Sequence, residues 1–359
     1  MDYNFKRDLN WLFIRPWIWL PRLIYILFSL LYLTLSLAIQ GSSKSTLIQK
    51  KLAKQIFKTL TELGPCFIKV GQALSTRPDL IRRDWLEELT NLQDNLPPFN
   101  NEEAIKILKI ELGDKTESLF KEFPEEPIAS ASLGQVYKAT LLDDSQVAVK
   151  IQRPNLNFII RRDLVIIKIL AISTGPLLPL NLGIGLGEII DEFGKSLFEE
   201  IDYQKELENA ERFSSLFTNN PTITVPKVIK KLSTEKVLTT SWINGIKLSR
   251  PDELLENNIN PSYIIRTGVI SGIRQLLEFG YFHADPHPGN MFALKGSSGD
   301  MGHIAYVDFG MMDSITDKDR LTLTEAIVNL INEDFHAVAI NFRELGFLNQ
   351  SQNLEPIIP

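Results

Sequence analysis

Two stretches of this 359-residue chain hold residues whose types and spacing could do chemistry. The first, Phe282-His283-Ala284-Asp285-Pro286-His287-Pro288-Gly289-Asn290, sets a carboxylate and an amide on a Pro/Gly-rich turn. The second, Ala305-Tyr306-Val307-Asp308-Phe309-Gly310, places a carboxylate at the end of an apolar run that reads as a short strand. Asn290 and Asp308 supply hard oxygen ligands that suit Mg²⁺, and Asp285 is spaced to orient an attacking hydroxyl or water. The order His-x-Asp-x-x-x-x-Asn, then Asp-Phe-Gly, is that of ATP- and Mg²⁺-dependent phosphoryl transfer. Asp-Phe-Gly alone arises by chance; the ordered pair is far more specific. His283 and His287 lie four apart on a Pro-interrupted turn with no third imidazole nearby. A structural place for His283 beneath the turn is therefore favoured over a metal pair.

Such a site needs a phosphate-binding cation. Ile128–Ala139 and Gln146–Ile151 read as a β-hairpin turning at Asp143-Asp144-Ser145. Laid on a glycine-rich phosphate loop, the positions fall at Ala129, Ala131, Gly134 and Val136, with Ser130 and Ser132 between them, so only the last glycine remains. Lys150 closes Val-Ala-Val-Lys and is the candidate phosphate ligand. A buried lysine needs a carboxylate. The next acidic helix, read from Glu188 to Phe213, carries Glu199, Glu200, Asp202, Glu206, Glu208 and Glu211, and the spacing alone leaves that choice open.

The remaining chain must position these groups. Its length fits about two domains, on a prior of roughly 150 residues each. It is 44% hydrophobic and 23% charged, as a folded core requires. The net charge of −6 argues against nucleic-acid binding, and a single cysteine excludes an internal disulfide framework. No charged residue lies between Arg22 and Lys44, an uncharged run that just reaches across a ~30 Å hydrocarbon core. Trp11, Trp17, Trp19 and Tyr25 cluster at its leading edge. A spanning helix and an in-plane helix fit about equally; a soluble core helix fits less well, and no cleavage site supports a secretory signal. Residues 45–95 carry a helical apolar stripe split at Gly64-Pro65, with Lys69-Val70-Gly71-Gln72 on the second half. Asn100-x-x-Glu103 resembles a capping box for a helix that Gly113 closes. Helices over 160–217 (broken by a Gly/Pro-rich passage from Thr174 to Gly187), 261–281 and 317–345 and strand-like runs at 222–228 and 236–242 complete the pattern.

Taken together, Lys69-x-Gly71-Gln72, the alanine-rich loop, Glu200-x-Asp202 and the ordered Asp285, Asn290 and Asp308 resemble the ABC1/UbiB family of atypical kinases over residues 50–345. The resemblance implies an α+β, bilobal protein-kinase-like fold. Its expected parts are a hydrophobic membrane-associated segment over 1–45, a helical extension over 46–120, an N-lobe over 121–245 and a C-lobe over 246–359. It implies that Lys150 contacts the α/β-phosphates and pairs with Glu206, and that Asp285 is the catalytic-loop aspartate. Asn290 and Asp308 would hold the metal; Lys69 and Gln72 would fold over the nucleotide, with Lys69 held by Glu200 and Asp202. His287 stands where protein kinases usually carry a lysine, which argues against efficient phosphoryl transfer, and an extension lying where a peptide would dock argues against phosphorylation of other proteins. Fewer than fifty residues follow Gly310, so the C-lobe is expected to be incomplete. The implied cofactors are ATP and Mg²⁺. The implied partners are membrane lipid or an isoprenoid-quinone precursor, with enzymes of quinone biosynthesis, on the ATP-containing side of a membrane in a bacterial cytoplasm or organelle interior. A nucleotide-regulated, lipid-binding scaffold is the alternative.

Overall fold

The computed structural model describes residues 3–348, apart from 77, 79–80, 95, 114–115, 117, 176–184 and 297–301, together with 354 and 355. Six helices open the chain: α1 (Phe5–Phe13), α2 (Pro16–Gln40), α3 (Thr46–Leu63), α4 (Pro65–Ser75), α5 (Arg83–Asp94) and α6 (Asn101–Leu112). Strands β1 (Phe120–Glu122), β2 (Ala129–Ser130), β3 (Gly134–Leu141) and β4 (Gln146–Gln152) precede α7 (Leu156–Thr174), α8 (Leu186–Glu200) and α9 (Tyr203–Leu216). Then come β5 (Ile223–Thr224), β6 (Val237–Ser241), β7 (Ile246–Lys247), α10 (Pro251–Glu256) and α11 (Pro261–Ile273). The last elements are β8 (Tyr281–His283), β9 (Met291–Leu294), β10 (His303–Tyr306), β11 (Met312–Ser314), α12 (Asp317–Ile331) and α13 (Phe335–Glu344). The chain divides into two compact units, Met1–Leu207 with Lys227–Trp242, and Glu208–Pro226 with Ile243–Pro359.

The first unit is built on an antiparallel sheet of order β1-β3-β4-β6, with β2 added to β3. Its strands alternate as a two-faced sheet must. Tyr137, Ala139, Val147, Val149 and Ile151 point to one face, where Ala104 and Leu108 of α6 cover them. Val136 and Lys150 are directly paired across β3 and β4, and Lys150 pairs with Leu238 of β6, so these three share the opposite face. There Tyr203 and Leu207, at the start of α9, pack on Leu238. A second apolar core joins α3, α4, α5, α7 and α8 through Leu63, Phe67, Leu92, Leu164 and Phe198, and it takes in Leu133 from the loop between β2 and β3.

Gly64-Pro65 divides α3 from α4 as expected, because Gly64 adopts φ 89°, which a side chain disfavours. Helix α4 ends at Ser75 and α5 begins at Arg83, so three helices stand where the apolar stripe suggested two. The acidic stretch is likewise not one helix. It breaks at Ile201 and Asp202, where the Asp202 carboxylate accepts from the N–H groups of Gln204 (3.1 Å) and Lys205 (3.3 Å) and so starts α9 afresh. At α6 the Asn100 side chain accepts from Glu102 N, a simpler cap than the reciprocal box.

Helix α2 is long and apolar enough to cross a membrane, by length and composition. It is nonetheless attached to its own unit at both ends. Arg22 donates to both carboxylate oxygens of Asp163 on α7 (3.0 and 2.6 Å) and to the carbonyl of Leu63. Near the other end Gln55 of α3 donates to Ser36 (2.9 Å), and Gln49 donates to the carbonyls of Gly41 and Ser43. Ile26 and Leu33 are buried, while Phe28, Leu31, Tyr32, Leu35 and Ile39 are exposed.

In the second unit β5-β10-β9-β7 form a sheet in which β5 and β10 run parallel and the other pairs antiparallel; β8 and β11 form a separate antiparallel pair. The expected helix over 261–281 ends early. After Ile273 the chain widens into a π-turn, Arg274–Phe279, before Gly280 and β8. The region after Asp308 holds two helices, each started by its own side-chain cap, Thr316 for α12 and Asp334 for α13.

Candidate active site

The sheet of the first unit positions Lys150. Its register turns the side chain away from the apolar core, towards the first turn of α9, where Nζ lies 2.9 Å from both oxygens of Glu206. The pair is asymmetric in its surroundings, with the Lys150 side chain 22% exposed and that of Glu206 1%. The ammonium also lies over the Tyr203 ring, 5.1 Å from its centroid. A carboxylate so deeply buried requires a full positive partner, and Lys150 supplies it.

The alanine-rich loop joins β2 to β3 and is held closed. Ala129 pairs with Val136 and Ser130 with Gln135, and Ala131 N donates to Gly134 O at 2.8 Å. Arg153 donates to the carbonyl of Ala131 (3.1 Å) and to the hydroxyl of Ser130 (3.2 Å). Between them Ser132 is buried and Leu133 is seated in the helical core. This loop is fastened from both sides. Arg153 and Leu133 were not singled out in the sequence; an apolar residue inside a loop otherwise built from Ala, Ser and Gly was the available signal.

Lys69 and Gln72 lie on α4. Lys69 forms an ion pair with Glu200 at the end of α8, both largely shielded from solvent. Gln72 donates to Leu92 O on α5 at 2.8 Å, a bond that ties two helices of the extension together. Asp202 starts α9, as described above.

In the second unit the turn after β8 is fixed by His283. This buried imidazole accepts from Asp285 N at Nδ1 (3.1 Å), which leaves its proton on Nε2, 2.7 Å from Asp308 O. Burial pushes its pKa below the ordinary histidine range, outweighing the opposing pull of Asp308. One ring thus stitches the segment carrying Asp285 to the segment carrying Asp308, the structural place expected of it. Gln275, from the π-turn, accepts from His283 N (2.9 Å). His287 Nδ1 accepts from Gly289 N (3.1 Å) and shapes the 3₁₀ turn that ends at Asn290. Met291 pairs with Tyr306 across β9 and β10, and Val307 N donates to Asn290 O (3.2 Å). Asn290 and Asp308 therefore emerge at the same end of one strand pair. Asp308 Oδ1 accepts from Gly310 N (3.0 Å). Phe309 is buried against Phe213, with centroids 5.3 Å apart. Asn209 of α9 donates to Phe309 O and accepts from the Tyr281 hydroxyl, each at 2.9 Å. Asn209 carried no motif to reveal it.

The elements that carry these groups make up an α+β fold of the kinase-like class. A family model described as the ABC1 atypical kinase-like domain matches residues 91–341, and the chain belongs to that family. An uncharacterized Synechocystis protein, slr1919, is 47% identical over 358 residues, covering 99% of this chain and 62% of that protein. The chloroplastic ACTIVITY OF BC1 COMPLEX KINASE 1 of Arabidopsis thaliana is 43% identical over 308 residues, 86% of this chain and 44% of that protein. The chain thus spans only part of these relatives' length. Rv3197 of Mycobacterium tuberculosis, solved in complex with erythromycin, is similar at 28% identity and a TM-score of 0.55, covering 84% of this chain and 75% of that one.

Proposed function

We propose that this chain binds ATP with Mg²⁺ and acts as an atypical phosphotransferase or ATPase at a membrane, in isoprenoid-quinone metabolism. The observation that carries the reading is the Lys150–Glu206 pair, both carboxylate oxygens 2.9 Å from Nζ on the strand after a phosphate-loop-like turn. In this reading Lys150 binds the α/β-phosphates, Glu206 holds it in place, and Asp285 orients the attacking hydroxyl or water. The fit to a metal rests on donor chemistry: Asn290 and Asp308 are oxygen donors at one end of the β9–β10 pair. Mg²⁺, when bound, neutralises phosphate charge. Lys69 and Gln72 belong to the extension that folds over the nucleotide, with Lys69 held by Glu200 and Asp202, and that extension disfavours peptide substrates.

Membrane association draws on α2. Because that helix is attached at both ends to its own unit, an orientation in the plane of the interface, with Phe28, Tyr32 and Ile39 towards the lipid, suits it better than a spanning one. A second reading, a nucleotide-regulated scaffold for partner enzymes, draws on the fastened alanine-rich loop.

ATP turnover with and without anionic vesicles and a quinone-like phenol tests the first reading, with Asp308→Asn as the inactive control. Nucleotide at a hundred times its dissociation constant adds about 2.7 kcal/mol of stability, readable in a melting curve. Stabilisation without turnover under any condition would favour the scaffold. Loss of cellular function in Asp308→Asn would defeat a scaffold that needs no metal-bound nucleotide.

A further inference from the structure

The first unit contains a cavity of about 850 Å³ lined by α1, α6, the chain after β4 and the start of α7. None of the residues assigned to nucleotide or metal lines it. Six of its lining side chains are cationic and two are acidic; of the six, Arg162 and Lys236 are neutralised from outside the cavity, by Asp163 (2.9 Å) and Glu111 (3.1 Å). One of the two acids, Asp8, is already engaged by Arg161 (2.8 Å) and Arg7 (3.1 Å). Arg153, at the cavity wall, gives its guanidinium to neutral acceptors, the carbonyls of Ala131 and Pro97 and the Ser130 hydroxyl. Among the described residues no carboxylate pairs with Arg153 or with Lys106. Helix α7 opens into the same space without a side-chain cap, so its first N–H groups add to the positive end. The uncharged lining joins apolar side chains, among them Trp11, Ile107, Ile110 and Phe158, to the amides of Gln152, Asn155 and Asn157.

A cavity with uncompensated cations and an aromatic-aliphatic lining matches a ligand with an anionic head and an apolar tail. The geometry points to a binding site for one anionic phospholipid: the phosphate lies against Lys106, Arg153 and the α7 N-terminus, and the acyl portion lies against Trp11 and Ile110. Because α1 leads directly into α2, the site lies beside the helix through which membrane contact is proposed. It stands or falls independently of nucleotide chemistry.

The test is calorimetric titration of the full chain, without nucleotide, using dihexanoyl phosphatidic acid below its critical micelle concentration. Parallel titrations use dihexanoyl phosphatidylcholine and inorganic phosphate. The expected result is saturable one-to-one binding of phosphatidic acid, at least about tenfold tighter than either comparator. Lys106→Glu and Ile110→Glu, both at exposed positions that tolerate replacement, should each weaken it by about tenfold or more, the scale of one charge-assisted hydrogen bond or a lost apolar contact. Lys318→Glu, in the second unit, should leave it unchanged. Phosphate binding as tightly as the lipid would overturn the lipid assignment in favour of a free anion. Binding that survives both cavity variants would place the lipid elsewhere and overturn the site. An absence of binding would do the same.

Discussion

The buried ion pair of the first unit makes a directional prediction. Replacing Lys150 with Met strands the Glu206 carboxylate, 1% exposed, without its cation. Removing one partner of such a pair costs about 3–5 kcal/mol. Glu206→Gln is milder. The amide oxygen still accepts from Nζ, and an ammonium whose side chain is 22% exposed regains some water, so the loss is that of a charged hydrogen bond, about 1.5–3 kcal/mol. In the double variant no charge is stranded, and it should recover about 1–3 kcal/mol relative to the sum of the single changes. Because the protein has two units, a single global melting curve would blur the result. Native-state hydrogen exchange on β4 peptides reports the opening of this sheet specifically. If Glu206→Gln proved as damaging as Lys150→Met, or if the two changes simply added, the pair would not be held by the burial asymmetry described.

Five further outcomes follow from the packing. Cys66 is buried in the helical core, and burial pushes its thiol well above the ordinary range; Ellman's reagent at pH 8 should leave it unmodified until denaturant is added. A raised folded pKa stabilises below the unfolded thiol's ~8.5 and is lost as pH rises, so Cys66→Ala should flatten the alkaline fall in stability, read by urea titration from pH 7 to 10. Gly134→Ala would set a Cβ 2.6 Å from the Ile151 carbonyl and 2.6 Å from the Tyr203 hydroxyl; a loss of about 1–3 kcal/mol is expected. Gly71→Ala meets only side-chain ends of Leu92 and Leu60, so hydrogen exchange in α4 peptides should rise less than exchange in β3 peptides does for Gly134→Ala. Asn209→Leu leaves the Phe309 carbonyl and the Tyr281 hydroxyl without this partner, worth about 1–3 kcal/mol, and should raise exchange in peptides spanning Tyr306–Met311.

Much of this was legible where a period or a special residue decides the local structure. The β3–β4 hairpin showed in two β-rich runs joined around Asp143-Asp144-Ser145, and Gly64-Pro65 marked a helix boundary that neither residue could cross unbroken. The partner of Lys150 was different. Spacing left several carboxylates open, because a continuous acidic helix presents them on overlapping faces. The Asp202 cap, which restarts the helix and turns Glu206 to the sheet, depends on a side chain choosing the backbone over solvent. The roles of Leu133, Arg153 and Asn209 were invisible for a related reason. Each acts through tertiary contacts with carbonyls or a core assembled from distant segments, and no local pattern encodes those. The π-turn at Arg274–Phe279 kept a helical apolar pattern while changing the register of its bonds.

The bond from Arg22 to the carbonyl of Leu63 bears on how the protein is handled. Trimming greasy leader segments is a common way to improve expression, and residues up to the end of α2 would be an obvious cut. Here that cut would also delete the guanidinium contacting Asp163, whose side chain is 0% exposed, and release the last carbonyl before the Gly64 corner. Helix α4, with Lys69, starts immediately beyond that corner. A soluble trimmed version would therefore carry a wounded extension, and weak activity measured on it would say little about the intact chain.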